Sequence, residues 1–309
     1  METAPILFMI FNRPDVTEKV FSKIREVKPK KLYISADGPR EDREDDSIKC
    51  QQAREIASKI DWDCDVKTRF LTENLGCGLG PSSAIDWIFE HEDTAIILED
   101  DCLPAIPFFS YCTELLERYK TNTRIMSIAG TQLCADKYEH EDSYFFSRYQ
   151  RATGWATWKR AWNLFDYNMK SFDQIKKDRY LYQIFNETEA DYWEGAFDYG
   201  LNSGGVWDYQ WVYAMFINDG LTILPKKNLI SHIGVEDATH ADGAKRVSFH
   251  AIDENFQISK HPRIIVRNNV YDTYYVDYLW NRLSFSQRVI RKIKHLTSIK
   301  TYFPDRKKT

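Results

Sequence analysis

The stretch that most constrains this chain is Thr94-Ala95-Ile96-Ile97-Leu98-Glu99-Asp100-Asp101, where an apolar run meets three consecutive carboxylates. A short apolar run bounded by polar residues reads as a buried strand of a parallel sheet. Acids at its carboxyl end then stand at the rim where open α/β sheets take up ligands. Like charges side by side repel, so a positive group is expected among them. A hard divalent cation carrying a phosphorylated ligand suits carboxylate oxygens, with Mg²⁺ and Mn²⁺ as candidates. The plainer alternative is that Asp100 or Asp101 caps a helix after Pro104.

The residues before this stretch repeat one theme. Pro5 to Phe11 reads as a buried strand ending in the turn Asn12-Arg13-Pro14. Asp15 and Glu18 have the spacing of a capping box, and Val16, Val20, Phe21, Ile24 and Val27 follow at helical intervals. Lys31 to Ala36 is a second strand, ending in Asp37-Gly38-Pro39-Arg40, and Asp65 to Phe70 a third, with a helix between them reaching about Ile60. The glycine-rich run 74–81 reads as a flexible turn before a helix over 82–91; it lacks both G-x-G-x-x-G and a Walker lysine. The first hundred residues thus spell β-α-β-α-β-α-β, a doubly wound nucleotide-binding half. Parallel strands bring their carboxyl ends together, so Asn12-Arg13, Asp37-Gly38 and Glu99-Asp100-Asp101 share one rim. There Arg13 can pair with phosphate or stack on a base, and Asp37 can accept from a pyrimidine N–H or a ribose hydroxyl. Asp100 can hold a ribose and Asp101 a metal.

Beyond Pro107 a helix to about Lys120 and a strand over 125–129 are expected, and the pattern changes near Thr131. Tyr144 to Tyr149 reads as a strand in an aromatic-rich half. Trp155, Trp158 and Trp162 fall at i, i+3 and i+7, one face of a helix, where core packing competes with a sugar-stacking role. Trp207, Trp211, Ala214 and Met215 make the buried stripe of another helix. Asp208 sits in its first turn, either as a cap or as a base whose pKa an aromatic collar of Trp207 and Tyr209 raises. Residues 221–225 read as a strand. The polar segment 236–243 carries His240, read as a lid residue completing a metal site or contacting diphosphate, or as an ordinary loop histidine.

Charge excludes one class of partner. The net charge of −4 argues against nucleic acid. From Asn281 to Thr309, however, nine Lys/Arg face one acid, so this tail is +8 and the remainder −12. Ser284 and Gln287 make a capping box, and Phe285, Val289, Ile293 and Leu296 lie roughly along one face. Such a basic amphipathic helix can rest on an anionic membrane or pack on the acidic body. Six cysteines without a C-x-x-C pair read as reduced thiols. With no leader-like start and no apolar run near the ~20 residues of a membrane span, the expectation is a cytoplasmic protein able to lie on the inner face of the membrane.

The set Ile10-Phe11-Asn12-Arg13-Pro14, Ala36-Asp37-Gly38-Pro39-Arg40, Ile97-Leu98-Glu99-Asp100-Asp101-Cys102, Gly154-Trp155-Ala156-Thr157-Trp158 and Trp207-Asp208-Tyr209-Gln210-Trp211 resembles bacterial nucleotide-diphospho-sugar transferases, some labelled haemolysin-like. Asn228-Leu229-Ile230-Ser231 and Asp237-Ala238-Thr239-His240 fit the same pattern, so the likeness runs from about Pro5 to Gly243. That group is similar in turn to the Golgi N-acetylglucosaminyltransferase that starts complex N-glycans. The resemblance implies a GT-A (Rossmann-like) α/β fold: a mixed, mostly parallel sheet flanked by helices, followed here by a basic helical extension. It also implies a UDP-sugar donor, Mn²⁺ (or Mg²⁺), inversion at the anomeric carbon and a glycan acceptor, lipid-linked ones included. Carried over by position, Asp101 binds metal with His240, Asp100 the ribose and Asp37 the uracil. Asn12, Arg13, Gly38 and Arg40 complete the nucleotide site, and Trp155 and Trp207 meet sugar. The family's base lies in a Trp-Asp-Asp-Trp sequence; here Asp208 is the only Asp between Trp207 and Trp211, and the spacing differs. The expected organisation is a nucleotide-sugar-binding half over 1–130, an acceptor-binding half of the same domain over 131–250 and an extension over 251–309. The expected activity is metal-dependent inverting transfer of a hexose or N-acetylhexosamine. The competing readings are a sugar-phosphate nucleotidyltransferase and a non-catalytic binding protein on a transferase scaffold.

Overall fold

The computed structural model describes residues 2–135, 138–203, 205–234 and 251–281. Its first half alternates strand and helix: β1 (Ile6–Ile10), α1 (Pro14–Val27), β2 (Lys31–Ala36), α2 (Asp46–Ala57), β3 (Asp65–Phe70), α3 (Gly76–His91) and β4 (Thr94–Glu99). A short β5 (Cys102–Pro104) and α4 (Pro107–Arg118) lead to β6 (Ile125–Ala129), β7 (Tyr144–Ser147) and β8 (Trp155–Trp158). Helices α5 (Lys159–Trp162), α6 (Phe172–Lys177), α7 (Leu181–Ile184), α8 (Glu187–Ser203) and α9 (Asp208–Ile217) follow. The described part ends with β9 (Leu221–Pro225), β10 (Ile230–His232) and α10 (Asn269–Asn281).

Eight strands form one sheet in the order β3-β2-β1-β4-β8-β6-β9-β7. Only β7 and β8 run against the other six. The fold is therefore α/β with a mostly parallel mixed sheet, and that sheet spans both expected halves. Alternation along β1 divides the core. Ile6, Phe8 and Ile10 pack with α1, α2 and α4, while Leu7 and Met9 pack with α3, α5 and α9. A third, aromatic cluster joins α8, α9 and α10 to β7 and β9.

Several local expectations are corrected. Trp155 to Trp158 is a strand, with Trp155 on one face of the sheet and Trp158 on the other. The indole spacing fits a helix, but an aromatic, β-branched tetrapeptide between two strands gains more from the ladder. Asp15 caps nothing, because Pro14 takes the first helical position and Arg13 becomes the N-cap without a side-chain bond. The glycine run is not a turn before a later helix; α3 already begins at Gly76, whose φ is +75°.

Beside the main sheet, β5 pairs antiparallel with β10, Cys102 opposite His232. This ribbon lies over bare backbone. A Cβ on Gly154, where φ is +59°, would stand 2.6 Å from Ile230 Cδ1. Gly154→Ala is expected to destabilise the protein by about 2–4 kcal/mol, from overpacking plus a left-handed backbone. In an Ile230→Ala background the same change should cost only about 1–2 kcal/mol. Equal costs in both backgrounds, read by urea denaturation, would show that Ile230 is not the obstacle.

Candidate functional site

In the order β2-β1-β4, the chain leaves β1 toward one side and returns in β4 on the other, so a crevice opens at their carboxyl ends. Arg13 and the acidic triplet meet in it. The Arg13 carbonyl accepts from Thr17 N (3.0 Å) and Thr17 Oγ1 (2.8 Å), which anchors its backbone at the start of α1. Its Nη2 donates to Asp100 Oδ1 and, at 3.0 Å, to Asp101 Oδ2. The positive group expected among the acids is therefore, among the described residues, a guanidinium. Asp100 and Asp101 cap no helix: Asp100 also accepts from Phe11 N at 3.3 Å.

Burial and like charge set the protonation of the triplet. Burial is the first cause lifting Glu99 to about 8, with the charges of Asp101 and Asp100 adding to it. Asp100 is pushed up to about 6, chiefly by burial, against the pull of Arg13. Asp101 goes the other way. Burial opposes its charge, but the hydrogen bond from His232 and the charge of Arg13 hold it down to about 2. Burial would lower the Arg13 pKa, yet its two acids more than reverse this, so it stays protonated. His232 Nε2 lies 3.3 Å from Asp101 Oδ2, and its buried Nδ1 has no hydrogen-bond partner among the described residues.

His232 was missed by sequence reasoning. It is delivered by pairing β10 with a three-residue β5 about 130 positions away, and Cys102-Leu103-Pro104 carries no strand period. His240, the histidine expected beside the metal, lies outside the described residues. So do the whole of the expected lid, 236–243, and the basic tail beyond Asn281.

The remaining rim residues serve the loops around the crevice. Asp37 Oδ1 accepts from Gly38 N and Leu75 N, and Oδ2 from Gly76 N and Asn74 Nδ2, all within 2.9–3.1 Å. It thereby satisfies orphan donors at the start of α3, which lacks a side-chain cap of its own. Both oxygens are engaged, so this conformation offers little to a uracil. Asn12 Nδ2 (2.6 Å) and Arg40 Nε (2.6 Å) converge on the buried Asp46, and the Arg40 guanidinium lies over the Phe11 ring at 5.3 Å. Asp46, which the charged run from Arg40 suggests is part of a solvated loop, is instead buried at the start of α2 and ties the β1 and β2 turns together.

Two expectations in the second half change. Trp155 is wholly buried, stacked beneath Trp207 with centroids 5.9 Å apart, and offers no face to a sugar. Trp207 itself is 5% exposed. The aromatic collar around Asp208 does not form. Trp207 turns into the indole cluster with Trp162 and Trp211, while Asp208, first residue of α9, is exposed. Asp208 is linked to the triplet through charge, adding to the raised pKa of Glu99 after burial, Asp101 and Asp100. Arg13, Asp100, Asp101 and His232 thus gather at one rim from the turn after β1, the end of β4 and β10, with Glu99 coupled to them.

No protein-family model matches the chain, and no curated protein matches its sequence.

Removing Arg13 tests the electrostatics. A carboxylate whose folded pKa is raised costs stability when ionised, and that cost grows as pH climbs from the ordinary carboxylate range toward the raised value. Arg13→Met is therefore expected to destabilise by about 2–3 kcal/mol at pH 8, and by less than half of that at pH 5, where Asp100 and Glu99 are largely protonated. Chemical denaturation at the two pH values reads the difference; a loss that does not vary with pH would contradict the assignment.

Proposed function

We propose that this protein is a metal-dependent inverting glycosyltransferase of GT-A type, moving a hexose or N-acetylhexosamine from a UDP-sugar to a hydroxyl of a glycan acceptor. The observation that carries the reading is the meeting of Arg13 with the acidic triplet at the crevice between β1 and β4, with the charge of Asp208 felt there by Glu99. An open α/β sheet binds nucleotides in such a crevice. A guanidinium there matches diphosphate, and a separate exposed carboxylate supplies a base.

A divalent cation fits the residues present. Three acids face one guanidinium, and two of them hold raised pKa values, so positive charge is in deficit. Asp101 supplies a carboxylate that stays ionised, and His232 an imidazole whose Nε2 faces that carboxylate and whose buried Nδ1 is unpaired among the described residues. Oxygen and imidazole donors suit Mn²⁺. Among the described residues no three His, Cys, Asp or Glu side chains are arranged to hold a metal ion by themselves, so the donor's own oxygens would have to share in holding it. When bound, the metal supplies Lewis-acid stabilisation of the departing diphosphate.

The chain's own residues do the rest. Arg13 holds phosphate while remaining paired to Asp100. Asp208 takes the proton from the acceptor hydroxyl as that oxygen attacks C1 from the side opposite the leaving group. A single displacement needs one base, whereas retaining hydrolases need two carboxylates. The nucleotidyltransferase reading is weaker on geometry. Only Phe11 to Arg13 separate β1 from α1, too few for a triphosphate-binding loop.

Thermal-shift measurements with UDP, GDP, CMP and dTDP, each with and without Mn²⁺, test the donor class. Ligand at a hundred times its dissociation constant adds ~2.7 kcal/mol to the fold. A rise in melting temperature with UDP that requires Mn²⁺ is expected, and Asp101→Ala should abolish it. No rise with any nucleotide would favour a binding protein on this scaffold.

The base has a separate test. Asp208→Asn should leave that thermal shift intact and lower sugar transfer by roughly 10²–10⁴-fold. Transfer at the wild-type rate would remove Asp208 from the reaction.

A further inference from the structure

Four large apolar side chains stand exposed within eleven residues near the end of the described chain. They are Ile264 (67%), Val266 (54%), Val270 (61%) and Tyr274 (42%). Their exposure follows from how the two elements are pinned. Arg267 bridges to Phe146 on the edge strand β7, and Asn268 N donates to Phe146 O at 2.7 Å. Ile265 turns inward onto the core, so its neighbours Ile264 and Val266 turn outward. On α10, Tyr271 and Tyr275 enter the aromatic cluster. Asp272, 1% exposed, accepts from Ser147 Oγ and pairs with Arg267. That leaves Val270 and Tyr274, one turn apart, on the opposite side. The outward apolar residues are thus held in place by buried ones and are not the frayed end of a chain.

The sequence continuing from α10 says what can cover them. Residues 282–309 hold nine Lys/Arg and one acid, while the rest of the molecule carries −12. A second copy of the chain would bring two such basic tails together. An anionic lipid surface attracts them, and apolar side chains beside a polybasic segment are the two signals that stable interfacial attachment needs. Clustered exposed apolar groups on a soluble surface mark such contact sites. We propose that the face formed by Ile264, Val266, Val270 and Tyr274 docks on an anionic bilayer, an occupant chosen by the positive charge of the sequence that follows it. The proposal stands independently of the transfer reaction.

Co-sedimentation of the full chain with vesicles tests it. Binding is expected to vesicles of phosphatidylcholine mixed with phosphatidylglycerol, not to phosphatidylcholine alone, and to weaken as salt is raised. The double change Ile264→Ser with Val270→Ser alters only exposed side chains and should leave the melting temperature unchanged. It should weaken vesicle affinity about tenfold. Three results would overturn the proposal. One is no binding to the anionic vesicles, as when the tail packs on the acidic body. Another is unchanged affinity in the double variant. The third is a dimer, seen by light scattering, that the double variant dissolves.

Discussion

Three carboxylates at the end of a buried strand cannot stand without a counter-charge, and the geometry of the crevice follows from how Arg13 supplies one. A guanidinium is rigid and forked, so it can serve Asp100 and Asp101 at once. To do so it must project from the third residue after β1, directly beside β4. Pro14 at the first helical position and the two Thr17 bonds to the Arg13 carbonyl fix that exit. The order β2-β1-β4 is therefore more than a scaffold detail. It sets the one place where the turn after β1 and the end of β4 are neighbours.

The compensation is incomplete, which gives the site its chemical character. Asp101 receives both Arg13 and His232 and stays ionised; Asp100 and Glu99 are left under-compensated and rise. A fold selected for stability alone would avoid such an arrangement, since buried charges seldom repay their desolvation. Retaining it is sensible where a cationic ligand is to be received. Rigid support surrounds the cluster. Asp37 and Asp46 spend their carboxylates on backbone and side-chain donors of the neighbouring turns, which holds those turns in register.

Much of the first half was legible because its signals are local. The continuous apolar runs at 6–10, 32–36 and 94–98 specify buried parallel strands, and their polar ends specify a rim. The stripe Trp207, Trp211, Ala214 and Met215 was likewise readable from helical spacing and is buried as a unit. Legibility failed where one pattern satisfied two structures. Three tryptophans at i, i+3 and i+7 suit a helix, yet Trp155 and Trp158 are separated by the plane of the sheet. It failed again at Asp208, whose aromatic neighbours in sequence point into the core while it points to solvent.

By itself, the sequence determined the alternation of strand and helix and the acidic rim, because backbone period and strand burial are written within a few residues. Only the tertiary structure decided that Trp155 is core, that Asp37 is a clasp and that His232 stands against Asp101. Each of those depends on a contact between segments far apart in the chain. Such contacts are chosen by the closure of a whole sheet and its ribbon, and no local pattern encodes them.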